Sequence, residues 1–132
     1  MFLNALQEEN KELFLALCVH AARANGTFEN DEEEMIYAYC REMSLIEHIP
    51  EDIDEVDNLI KIMKEKTSDI EKKIVVMELL GFFDLDVVND EKKFMTKVIN
   101  GLNVKPKVVD SLTCLLKDYI SAYKKLYTFI SE

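Results

Sequence analysis

The ten residues Ile74–Phe83, IVVMELLGFF, carry a single charge at Glu78 and are otherwise apolar on every side of a helix. A short helix with no polar face has to be covered by neighbours all round. The chain therefore needs several further elements packed about this one. It has little from which to make strands: three Gly and two Pro in 132 residues leave few tight turns, and no stretch sustains the alternation of a half-buried strand. The expected fold is all-α, a single-domain bundle of about six helices over residues 1–132, long enough to bury roughly two-thirds of its unfolded surface.

An acidic turn, DLDVVNDE, follows directly over Asp84–Glu91. Charges at the end of a buried helix stay in water unless they are paired or bound. The same pattern occurs earlier. A shift of 59 positions lays Leu17–Leu45 on Val76–Val104, so that Asn30-Asp31-Glu32 meets Asn89-Asp90-Glu91, Phe28 meets Val87 and Met43 meets Leu102. The spacing predicts an internal duplication into two similar halves, each a helix, an acidic turn and a helix. Phe28 and Val87 are expected to plug their turns into the core.

Helix signals divide the rest. One helix is expected from Phe2 to about Ala24, stopped by Asn25-Gly26, residues that tolerate a left-handed C-cap. A second runs from about Asp31 to Met43, with Asn30 as N-cap and Glu33 completing a capping box. The segment 44–53 is a linker broken at Pro50, and a third helix covers about 54–66. Ser68 with Glu71 marks the start of the central helix. A fifth, capped by Asn89, reaches about Leu102, where Gly101 and Asn103 stop it. The last begins near Pro106 and continues to about Ile130, with its apolar stripe at Val108, Leu112, Leu115, Leu116, Tyr119, Tyr123, Leu126 and Ile130.

The net charge of −10 is uneven. Residues 1–60 hold fifteen acids against three bases, and residues 61–132 eleven against thirteen. That balance argues against nucleic acid, which needs a basic footprint. It suits a basic protein partner or a cation, the plainer alternative being a solvated face that aids solubility. Cys18, Cys40 and Cys114 are odd in number and widely spaced. Each is expected in an apolar setting, which fits a reducing, cytoplasmic location. No membrane span is expected, since the apolar run Leu13–Val19 is far short of the ~20 residues required.

Catalytic signals are sparse. His20 lies in an apolar helix and His48 in the linker, where exposure is expected. Glu-x-x-His, His-Glu-x-x-His, phosphate-loop and nucleophile-elbow patterns are all absent. The acidic turns carry more. Their clustered oxygens suit a hard divalent cation, calcium or magnesium, held by Asp84, Asp86, Asp90 and Glu91, with Asn25, Asp31 and Glu32 as counterparts in the first turn. They are not EF-hands, because counting from Asp84 the sixth and twelfth positions are Asn89 and Met95. Capping and dipole compensation would account for the same acids without any ion. Two surfaces could meet partners: the acidic stretch with Glu29, Glu33 and Glu34, and the row Tyr119, Tyr123 and Tyr127, which suits a homodimer or protein partner or else a core rim with its hydroxyls in water.

Ala24-Asn25-Gly26-Thr27-Phe28 followed by Asp31-Glu32-Glu33, and Phe83-Asp84-Leu85-Asp86-Val87 followed by Asp90-Glu91, resemble the tellurite-resistance TerB-like family over about residues 5–130. A related domain stands at the front of a membrane-anchored DnaJ-like co-chaperone. The resemblance implies an all-α fold of two similar halves and a non-enzymatic role in bacterial stress or metal resistance. Two positions depart from the pattern. Asn25 replaces an Asp, which favours the second turn for any cation, and Leu85 replaces a Gly. The His-Pro-Asp motif that recruits chaperones is absent, so His48-Ile49-Pro50 carries no such activity.

Overall fold

At the centre lie two helices, not one. The computed structural model describes residues 1–24, 26–87 and 89–132. An opening 3-10 turn, Leu3–Ala5, leads to α1 (Glu8–Arg23), α2 (Asn30–Glu42), α3 (Val56–Lys66), α4 (Asp69–Phe82), α5 (Asp90–Gly101) and α6 (Pro106–Ser131), with no strand among the described residues. α4 packs against α1, α5, α6 and the opening turn, and α1 also packs against α2 and α3. Ile74, Val75, Val76, Leu79, Leu80, Phe82 and Phe83 are buried, as the apolar run demands. α1 matches it with an unbroken buried run, Phe14–Val19. Each buried Val, Leu, Ile or Phe among them contributes roughly 1.5–3 kcal/mol by leaving water.

The Ser68 box forms as the sequence predicts: Glu71 N–H donates to Ser68 Oγ (3.1 Å) and Ser68 N–H to Glu71 Oε1 (3.0 Å). Glu71 then reaches further. Its Oε2 accepts from Gln7 N–H at 3.0 Å and from Asn10 Nδ2 at 2.8 Å. These bonds fasten the start of α1 to the start of α4. They also explain why the first helix does not begin at Phe2. Leu6 and Gln7 are extended, which turns Leu3 and Leu6 into the core and aims Gln7 N–H at Glu71. Burial pushes the Glu71 carboxyl up, but the bonds from Asn10, Gln7 and Ser68 outweigh it and hold it below the ordinary carboxylate value.

Other expectations shift. α2 starts one residue early, and its box pairs Glu29 with Glu32 instead of Asn30 with Glu33. Asn89 precedes α5 but makes no side-chain cap, because its φ of 54° turns the chain left-handed there. Asp84 and Leu85, with φ of 53° and 62°, make the same excursion after α4. Gly101 lies inside α5 and is needed for packing: a Cβ there would stand 2.3 Å from Ile60 Cγ2 of α3. Asn103, at φ 60°, sits where the chain leaves α5. Helix ends Arg23 and Phe82, and Glu42 and Gly101, keep the 59-position spacing.

Glu78, buried in α4, receives the terminal ammonium of Met1 at 3.0 and 3.3 Å, and Glu42 takes the same ammonium at 2.6 Å. Burial still pushes the Glu78 carboxyl above its ordinary value. Cys18 and Cys40 are buried, whereas Cys114 is exposed on α6, against expectation, because its phase falls on the polar side of that helix. No described helix is long and apolar enough to cross a membrane.

Candidate interaction face

α6 outlasts the body that supports it. Pro106 occupies its first turn, and no Gly or second Pro interrupts the following residues. At 1.5 Å per residue its 26 residues span about 39 Å, against about 21 Å for the 14 residues of α4. The two run side by side in the same direction. Ile70, Ile74 and Met77 of α4 share a cavity with Leu112, and Asp84 and Leu85 beyond its end share another with Lys117, Ile120 and Lys124. Leu116 is buried, while Val109, Leu112 and Ile120 are partly buried against the core. Every residue from 121 to 132 is exposed.

The apolar stripe does not end there. Leu115, Tyr119, Tyr123, Leu126, Tyr127, Phe129 and Ile130 are all exposed, from 51% at Tyr119 to 78% at Phe129. Lys117 and Lys124 line the cleft with Asp84 and Leu85, and Asp110, Asp118 and Lys125 are exposed. Tyr119 and Tyr123 stack on one another, with ring centroids 6.4 Å apart and planes 26° from parallel. The three tyrosines are exposed, Tyr119 the least of them. The apolar surface continues across the body at exposed Phe2 and Ile70, which flank the cavity of about 350 Å³ at Leu112.

The acidic turns are brought only partly together. Asn25 lies outside the described residues. Burial, then the charges of Asp86 and Glu32, push the Glu91 carboxyl above its ordinary value. Asp84 faces the α6 cleft with Lys117 and Lys124. Asp90 lines a different cleft, with His20, Arg23, Lys93 and Lys97. Asp31 is exposed in the first turn of α2. Among the described residues no three His, Cys, Asp or Glu side chains are arranged to hold a metal ion. Glu29 accepts from Thr27 Oγ1 at 3.1 Å and Glu33 from Tyr37 at 3.0 Å, while Glu34 is exposed. Phe28 and Val87 are partly buried against the core.

One cluster escaped sequence reasoning. His48 Nε2 lies 3.0 Å from Glu12 Oε2, its Nδ1 lies 2.7 Å from the Ile46 carbonyl, and Cys40 Sγ is 4.0 Å from Nδ1. A cysteine, a histidine and a glutamate in contact are the parts of a nucleophilic triad, but the roles do not fit. Both ring nitrogens lie within hydrogen-bond distance of oxygens, and the pKa of the imidazole is raised first by the Ile46 carbonyl and then by Glu12. Cys40 is fully buried, and burial pushes its thiol up. Burial disfavours the thiolate that nucleophilic attack requires. The cluster instead clips the 44–53 linker onto α1 and α2. Its signal was not local, since Glu12 and His48 are 36 positions apart. His20 is partly exposed and contacts the Asp54 carbonyl at 2.8 Å through Nε2.

Comparison with known proteins gives no match: no family model fits the chain, and no curated protein or solved structure matches it significantly. The TerB-like resemblance accordingly rests on its motif residues alone.

Proposed function

We propose that the chain is a non-enzymatic helical module that presents the free face of α6 to another protein. The observation that carries this is the run of seven large apolar side chains exposed along one helix. Chains that work alone rarely leave so large a contiguous apolar surface in water. Tyrosine suits such a face, pairing a large apolar ring with a hydroxyl that stays hydrated. The TerB-like resemblance adds a bacterial stress or metal-resistance setting. Affinity capture with wild type and with Tyr119→Glu/Tyr123→Glu tests the reading. A partner, self-association included, retained by wild type and lost from the variant at unchanged helicity supports it. Identical partners for both baits refute it.

A second reading, divalent-cation binding, rests on the acidic turns and on the charge of Asp86 and Glu32 felt at Glu91. A cation bound beside Glu91 relieves that repulsion. Thermal melts of chelator-stripped protein with calcium and magnesium separate the cases. A stabilisation lost in Asp86→Asn/Glu91→Gln supports the site, and an unshifted melt leaves the acids as helix caps or as a face for a basic partner. That last alternative, through Glu29, Glu33 and Glu34, predicts binding that weakens with salt.

A further inference from the structure

Building on the interaction reading above, we propose that α6 of a second copy of this chain occupies the face, laid antiparallel about a two-fold axis near residue 121. Area is the first support. Leu115, Tyr119, Tyr123, Leu126, Tyr127, Phe129 and Ile130 are each more than half exposed. With a buried aromatic covering 150–250 Å², they amount to roughly 900 Å² per chain, close to the ~800 Å² per partner of a stable complex.

Spacing is the second. Leu112, Leu116, Tyr119, Tyr123, Leu126 and Ile130 follow one another by alternating steps of four and three. That is the seam of paired helices, which keeps one stripe facing a neighbour along the whole length. A two-fold axis must match such a stripe to itself. Centred near residue 121, it sets Tyr119 opposite Tyr123 of the partner subunit and Leu112 opposite Ile130 of the partner subunit. Leu116 is already covered by α4, so the new contacts fall on its open flank, at Leu115 and Tyr119. The positions bordering the seam, Thr113, Leu115, Ile120, Ala122, Tyr127 and Phe129, carry no charge. Nothing there repels an identical helix or selects a foreign one.

Direction follows from the body. A parallel pair would bring two chains of net charge −10 side by side at one end, where like charges repel. The antiparallel pair holds the bodies at opposite ends. It also delivers Ile130 of each copy to the cavity that Phe2, Ile70 and Leu112 border on the other.

Sedimentation equilibrium over a concentration series, with cysteine crosslinking in a Cys114→Ser background, tests the proposal. Wild type is expected to dimerise, and Leu126→Glu/Ile130→Glu, at exposed positions, to weaken the dimer roughly hundredfold or more at unchanged helicity and melting temperature. Ala122→Cys, beside the axis, is expected to crosslink to itself. Phe129→Cys is not, since the antiparallel register separates its two copies by about 24 Å along the helices. A wild type that stays monomeric to about 1 mM overturns the second-copy assignment. The capture experiment then still decides whether the face binds anything else. Crosslinking of Phe129→Cys as readily as Ala122→Cys overturns the antiparallel register, a variant as dimeric as wild type overturns the seam, and a monomer that binds phosphatidylglycerol vesicles through the face assigns it to lipid instead.

Discussion

Replacing Glu71 by Gln removes one charge and changes almost no volume, yet it should be among the costliest single changes in this protein. The carboxylate is 4% exposed. Its two oxygens accept from Gln7 N–H and Asn10 Nδ2 on one side and from Ser68 N–H on the other. Glutamine offers one oxygen and one NH₂. Whichever way the amide is turned, its NH₂ meets an N–H donor, Ser68's on one side or Gln7's on the other. At least one amide therefore loses its acceptor, which costs about 1–3 kcal/mol, and the remaining bonds lose their charge assistance. The expected loss is about 2 kcal/mol, or roughly 6–12 °C in melting temperature if each kcal/mol moves it by about 3–6 °C. The gap must also depend on pH. Because the folded carboxyl lies below its ordinary value, its stabilisation is complete above the unfolded pKa of about 4.3 and is lost as pH falls through the lower folded value. Paired urea titrations of wild type and Glu71→Gln at neutral pH and at about pH 3 measure both quantities. A difference under about 0.5 kcal/mol at pH 7, or one that does not shrink in acid, would refute the bridging role given to this side chain.

Gly101→Ala is expected to destabilise by about 1–2 kcal/mol although alanine favours helices, because overpacking against Ile60 exceeds the ~1 kcal/mol propensity gain. Ile60→Ala, which removes Cγ2, should make the same glycine replacement stabilising, and additive effects in denaturant would show that the contact does not matter. For the clip at His48, whose pKa is raised, the contribution is complete below its unfolded pKa and disappears as pH rises through the folded one. Glu12→Gln should therefore lower the melting temperature more at pH 5.5 than at pH 8.5, and an equal effect at both would assign the contact a purely neutral hydrogen bond.

The order and type of the helices were legible in the chain because their signals are local. Ser68 and Glu71 are three apart and box each other in isolation, Pro106 opens α6 by its own φ, and the apolar run from Ile74 buries itself in whatever surrounds it. Long-range partners were not legible. Glu71 looked like a cap and is also a bridge to Gln7 and Asn10, because the start of α1 is folded back beside it. Asp84 and Asp90 looked like members of one cluster and are split between two clefts by left-handed turns at Asp84, Leu85 and Asn89. The sharpest division lies within α6. Leu116 and Tyr123 are seven positions apart in one unbroken stripe, and helical periodicity assigns both to the same face. The sequence by itself determined that this face is apolar from end to end. Only the tertiary structure decided that Leu116 is covered and Tyr123 is not, because α4 stops at Phe82 while α6 runs on to Ser131 with no described residue burying its end.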